Sequence, residues 1–263
     1  MTLIAILLGT LVAGIGSVWL AAVLSFGVLA RYTQHMLSLA AGALLATAFM
    51  HLLPEAFESR VGPQALFATL LGGLVFFFLL DKAELWHHGH EHGAGPQDHD
   101  HHDHAHGHGH EEARSGGWAV LAGDSVHAFG DGILIASAFI ADVRLGVVAA
   151  LAVLVHEVPH HMGDLVVLRQ SSNNRRVAFI KVTLAGAVTA LGGVLGYALV
   201  DQLYGYLPFF LIMASSSFIY VALADLIPQL QKRVSARETA AQIAWLFIGI
   251  GLVTLVSSLA HQH

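Results

Sequence analysis

No cysteine occurs among the 263 residues, which excludes disulfides and thiolate metal sites and leaves imidazole and carboxylate as the strong metal donors. Charge is scarce as well. Only 11% of residues are Asp, Glu, Lys or Arg, against 56% hydrophobic ones, and the mean hydropathy is +0.67. A soluble domain carries about a quarter charged residues, so this composition belongs to a polytopic membrane protein. The formal net charge of −6 is not a global property, because seven of the 18 acidic residues fall between Glu84 and Glu112. With no basic stripe, nucleic acid is excluded as a partner.

What the chain does have is long apolar runs. The first, MTLIAILLGTLVAGIGSVWLAAVLSF, lacks a basic leading segment and is too long for the core of a signal peptide, so it reads as a retained membrane helix. A span needs about 20 apolar residues, and eight stretches qualify: 2–29, 35–57, 64–86, 117–140, 145–168, 178–200, 206–229 and 239–260. Eight spans put both termini on one side. With the termini outside, ten basic residues lie in inner loops (Arg31, Lys82, Arg114, Arg169, Arg175, Arg176, Lys181, Lys232, Arg233, Arg237) and only Arg60 and Arg144 in outer ones. Ten against two fixes the orientation by the positive-inside rule. The expected location is a plasma membrane, the inner one in a bacterium, with both termini outside the cytoplasm.

The whole chain, 1–263, then forms one transmembrane domain interrupted by a tract at 87–112, HHGHEHGAGPQDHDHHDHAHGHGHEE, which the orientation places in the cytoplasm. Gly, Pro and charge predict disorder there, and its eleven histidines among Asp and Glu form a multi-site ligand for Zn²⁺, Ni²⁺ or Cu²⁺. Elsewhere MHLLPEA (Met50–Ala56) and ADLIPQL (Ala224–Leu230) each place a polar residue, His51 or Asp225, three before a proline. Polar groups at matching places in two halves are a mark of an inverted-repeat transporter.

The chemistry concentrates in the fourth and fifth spans. In HAFGDG, His127 and Asp131 share a helix face one turn apart; in HEVPHHMGD, His156 and His160 do the same, Asp164 extends their stripe, and Glu157 and His161 form a second pair rotated by about 100°. Each ionisable group at membrane depth costs roughly 2.5–3.5 kcal/mol on insertion scales, so such a concentration requires mutual compensation or an ion. His127, Asp131, His156 and His160 offer N and O donors for one divalent cation. Pro159 removes an amide N–H from the same turn, and Gly130, Gly132 and Gly163 are placed to let helices approach closely. A hydrogen-bonded network without an ion would suit one buried histidine better than this set of histidines and carboxylates.

These two motifs resemble the fourth- and fifth-helix signatures of the ZIP (Zrt/Irt-like) divalent-metal transporters, His-Asn-Phe-x-Asp-Gly and His-Glu-x-Pro-His-Glu-x-Gly-Asp. The resemblance implies an all-α polytopic membrane protein whose eight transmembrane helices form an inverted-repeat (3+2+3) bundle, with the metal site between helices 4 and 5. It implies import of Zn²⁺ as substrate, with Fe²⁺, Mn²⁺ or Cd²⁺ as rivals, by elevator-like movement, and no resident cofactor. Carried over by position, the metal ligands are His127, Asp131, His156, Glu157 and His160. Ala128 stands where the family commonly has Asn, His161 where it often has Glu, and Thr189 near a Glu that some members place in the sixth helix. All three positions bear on a second metal, so one well-occupied ion is expected, with any second dependent on His161. Further pathway candidates are Asp164, Asp124, His51 and Asp225, with helix-end capping the alternative for Asp124.

HEVPH also matches H-E-x-x-H, the signature of zinc metalloproteases, so an intramembrane protease is the competing class. Pro159 within that motif and the otherwise idle His127/Asp131 pair count against it. The expected partners are a divalent metal ion and the lipid bilayer, with a homodimer left open.

Overall fold

The structure is a computed structural model that describes residues 1–25, 33–89, 112–171, 175–230 and 235–260. The histidine tract between 90 and 111 therefore lies outside the described residues. Among the described residues eight helices are long and apolar enough to cross a membrane, and no strand occurs. The protein is an all-α polytopic membrane protein.

Helix α1 comprises Thr2–Leu11, a π-helical turn at Val12–Gly16 and Ser17–Ser25; α2 comprises Thr33–Thr47, a π-helical turn at Ala48–Leu52 and Leu53–Phe57. Then come α3 (Pro63–Gly89), α4 (Glu112–Ala141), α5 (Val143–Ser171) and α6 (Arg175–Gln202). Helix α7 comprises Leu207–Tyr220, a π-helical turn at Val221–Leu226 and Ile227–Leu230, and α8 is Ala236–Ala260. Each expected span is present. Helix α3 runs past its expected end at 86 and α4 begins before its expected start at 117, because both continue as helix into the polar tract.

The ends follow from local chemistry. Pro63 opens α3, where its missing N–H is one no helical bond needs. Asp142, the single residue between α4 and α5, accepts the amide hydrogens of Arg144 and Leu145 at 2.8 and 3.3 Å. At the start of α8, Ser235 Oγ accepts from the Glu238 amide while Glu238 Oε2 accepts from the Ser235 amide at 2.8 Å, a capping box.

The π turns in α2 and α7 end just before Pro54 and Pro228 and hold His51 and Asp225. A proline lacks the amide its helix needs and crowds the carbonyl four residues back, so the preceding turn widens. The shared pattern noticed in the sequence thus corresponds to a shared backbone distortion.

Lipid offers no hydrophobic drive for helix association, so contact between membrane helices depends on small residues and close fit. The buried set is accordingly rich in alanine: Ala40, Ala41, Ala48, Ala56, Ala136 and Ala152 are nearly inaccessible. Only 11% of the spanning windows of α3 and α8 is buried, against 67% in α2 and 61% in α5, so α3 and α8 are peripheral and α2 and α5 central. Phe76 and Phe78 of α3 point outward, as lipid-facing side chains do.

Glycine contacts divide the bundle in two. A Cβ added to Gly14 of α1 would lie 2.0 Å from the Gly186 carbonyl oxygen of α6, and one on Gly132 of α4 would lie 2.1 Å from the Thr189 carbonyl oxygen of α6. Gly9 of α1 and Gly146 of α5 both abut Phe139 of α4. In the other group Gly42 of α2 and Gly249 of α8 each touch the other helix's backbone, and Gly73 of α3 meets Ser216 of α7. Among the described glycines, every such contact joins members of the set α1, α4, α5, α6 or members of the set α2, α3, α7, α8. The expectation for Gly130 and Gly163 is corrected here: an added Cβ at either meets nothing within 4 Å, because both face away from the helix crossings. Gly132 alone of the three makes a close approach.

Candidate metal centre

Helices α4 and α5 are joined by one residue and run antiparallel, so each turn back along α4 is matched by a turn forward along α5. This geometry puts Asp131 beside His156 and carries Asp124, two turns earlier, to the level of His161 and Asp164. Two groups of buried ligand side chains result. One contains His127, Asp131, His156 and Glu157; the other contains Asp124, His161 and Asp164; within each, the ligand atoms lie within 4.8 Å of one another.

In the first group His156 Nε2 lies 3.0 Å from Glu157 Oε1 and 3.4 Å from Asp131 Oδ2. His127 Nε2 lies 3.4 Å from Glu157 Oε1, 3.8 Å from Asp131 Oδ2 and 3.5 Å from His156 Nε2. Four donor atoms from two helices thus converge on one point. The other nitrogen of His156, Nδ1, donates to the Ala152 carbonyl oxygen at 3.3 Å. A carbonyl can only accept, so Nδ1 carries the proton and Nε2 of the neutral ring turns its lone pair to the centre. This is how metal-binding histidines are commonly held.

Satisfaction of the buried polar atoms separates scaffold from site. The hydroxyls of Thr10, Thr47, Ser137 and Ser215 each donate to the carbonyl four residues back, at 2.8 to 2.9 Å, and so are used up by their own helices. By contrast Asp131 Oδ2, both oxygens of Glu157 and both of Asp124 are buried without a hydrogen-bond donor. With a lone pair on His156 Nε2, its 3.0 Å approach to Glu157 Oε1 is not a hydrogen bond but two lone pairs set face to face. Buried carboxylates left in that condition are costly, and a divalent cation between the lone pairs resolves the cost. One such ion would balance the two negative charges of Asp131 and Glu157.

His127 keeps 29% of its side chain exposed, whereas His156, Glu157 and Asp131 keep 3% or less. The first group is therefore open on its His127 side. His160 stands at that edge, half-buried, with its ring stacked on His127 at a centroid separation of 5.6 Å, and it is not one of the four residues whose donor atoms converge. Glu157 faces both groups: Oε1 turns to His156 and His127, and Oε2 lies 3.2 Å from His161 Nε2.

The sequence-derived stripe of His156, His160 and Asp164 is therefore divided, with Asp164 joined to His161 and Asp124. A signal for this was available: the short link between the two spans, combined with antiparallel pairing, puts Asp124 level with Asp164. Neither His51 nor Asp225 belongs to a ligand group found among the described residues, and the Asp225 side chain lies outside them. Pro159 sits within a helix that stays continuous from Val143 to Ser171. A protease reading needs both histidines of HEVPH on the metal and a glutamate free to act as base. Here Glu157 is itself one of the converging ligands, and His160 is not.

Comparison with known proteins gives the family. The family described as ZIP zinc transporter matches residues 1–257. A zinc transporter ZIP13 from Pongo abelii is 28% identical over 97% of this chain and 79% of its own length, and one from Danio rerio is 28% identical over 85% and 76%. Over a shorter region, 52% of this chain and 30% of the relative, the zinc transporter zipt-7.2 of Caenorhabditis elegans is 36% identical. With the match running nearly end to end, and eight apolar helices enclosing buried His, Asp and Glu ligands, the chain belongs to the ZIP family of zinc transporters, which carry metal ions across membranes and are not enzymes.

Proposed function

We propose that the protein imports a divalent metal ion, Zn²⁺ foremost, with the group at His127, Asp131, His156 and Glu157 as the transport site and His160 as an entry ligand at its open edge. The carrying observation is the convergence of four donor atoms from α4 and α5 on one point, with no hydrogen-bond donor to Asp131 Oδ2 or to either oxygen of Glu157. Imidazole and carboxylate together suit Zn²⁺, and Fe²⁺, Mn²⁺ and Cd²⁺ accept the same donors. Radioactive zinc should accumulate in liposomes reconstituted with the full chain and not in empty ones. Equal accumulation in both would reject the reading.

Inward direction is what the family resemblance implies, and the basic asymmetry of the loops supports the orientation with both termini outside. Cysteine introduced at Arg114 should react only with reagents that reach the cytoplasmic side, and cysteine at His263 only with external ones, the chain having no other thiol. External labelling at both positions would invert or break the topology.

The elevator-type movement is supported by the division of the glycine contacts. The close crossings bind α1, α4, α5 and α6, which include both site helices, into one block, and hold α2 to α8 and α3 to α7 in a frame. Two blocks that are tight internally and not interlocked by such crossings are suited to slide as rigid bodies. The matching π turns before Pro54 and Pro228 favour the inverted-repeat reading of α2 and α7.

A further inference from the structure

The second ligand group is not explained by a single transport site. Asp124, His161 and Asp164 are all buried, with exposures of 4%, 0% and 8%, and both carboxylate oxygens of Asp124 lack a hydrogen-bond donor. His161 Nε2 points between Asp124 Oδ1 at 3.8 Å and Glu157 Oε2 at 3.2 Å.

What that nitrogen carries is fixed from α1. Ser17 Oγ donates its one hydrogen to the Gly14 carbonyl oxygen at 2.6 Å and lies 3.0 Å from His161 Nδ1. With its proton committed, the hydroxyl can only accept, so His161 Nδ1 is the donor. In the neutral ring the Nε2 lone pair then faces two carboxylates, an arrangement that repels unless a cation stands among them. Ser17 is held at this depth because Gly14 and Gly186 bring α1 and α6 into backbone contact.

We propose that Asp124, His161 and Asp164, joined to the first site through Glu157 Oε2, form a second cation site in series with it, and that Ser17 positions His161 to serve there. The inference rests on the first group being a metal site. Its ligand class is a divalent cation that accepts one imidazole and several carboxylate oxygens, such as Zn²⁺ or Cd²⁺. Of the three positions that the family resemblance ties to a second ion it uses only His161, since Ala128 offers only a methyl group and Thr189 Oγ1 lies beside Gly14 on α1. It also sits one turn further along α5 in the direction of Arg169. An ion leaving the first site in that direction meets its next ligands before losing Glu157, so the handover keeps the charge neutralised at each stage.

Cadmium located by anomalous scattering in crystals of the full chain tests this directly. Two intramembrane peaks are expected, one at each group. Asp124→Asn should remove the peak beside His161 and keep the one beside His156, and Ser17→Ala should weaken cadmium binding at the His161 position by about 10-fold while sparing the other. The retained first peak certifies that each variant is folded, and Asp164→Asn substitutes should Asp124→Asn not fold. A first peak without a second in the unaltered protein, or a second peak that persists in Asp124→Asn, would overturn the second site alone. No peak at either group would overturn the transport site with it.

Discussion

Alanine in place of His156 should reduce initial zinc uptake by the reconstituted protein at least about 100-fold, at matched amounts of inserted protein. The substitution removes the ring whose Nε2 approaches both Glu157 and Asp131 and whose Nδ1 donates to the Ala152 carbonyl oxygen. It leaves two buried carboxylates facing each other with His127 as the one remaining imidazole among the four converging ligands. Loss of a supporting partner alone typically weakens a metal site 10- to 100-fold, and loss of a ligand costs more. His160→Ala should be milder, because its ring stacks on His127 at the open edge. Uptake by His156→Ala near that of the unaltered protein would exclude the group as the transport site.

A pair of glycine substitutions two residues apart should give opposite outcomes. Gly132→Ala places a methyl group 2.1 Å from the Thr189 carbonyl oxygen and 2.6 Å from the Gly193 amide nitrogen. Those atoms belong to the α6 backbone and cannot swing aside as a side chain can, so α4 and α6 must separate. Overpacking a well-fitted core costs about 1–3 kcal/mol, and a clash of backbone on both sides should reach or exceed the upper end. Asp131 adjoins Gly132, so the displacement also reaches the metal ligands, and uptake should fall by about 10-fold or more. Gly130→Ala meets nothing within 4 Å and should leave both thermal stability and uptake near their original values. Melting followed in detergent, together with zinc uptake, measures both. If the two variants behaved alike, the α4–α6 crossing would not be what holds the site in shape.

The number and approximate limits of the helices were legible in the sequence because a bilayer imposes a one-dimensional rule: about 20 apolar residues per crossing. The chemistry was legible for a related reason. In a chain so poor in charge, His127, Asp131, His156, Glu157 and their neighbours stand out, since ionisable groups do not persist at that depth without a use. Helical periodicity correctly paired His127 with Asp131 across one turn, a separation the fold reports as 3.8 Å between side-chain atoms. Periodicity along α5 failed for Asp164, however, because which face of a helix a residue joins depends on the neighbouring helix.

The sequence by itself therefore determined the class of protein, its eight spans, its family signature and the residues able to bind a metal. Those properties follow from composition and from spacing within single helices. Only the tertiary structure decided how these residues divide into groups. Antiparallel pairing of α4 with α5 set Asp131 against His156 and Asp124 against His161 and Asp164, and the α1–α6 crossing at Gly14 and Gly186 brought Ser17 to His161 across 144 positions of chain. Glycine in the sequence signals that close approach is permitted, but Gly132 meets α6 while Gly130 and Gly163 meet nothing. The reason is that a helix has many faces, and which of them becomes an interface depends on where the other seven helices lie.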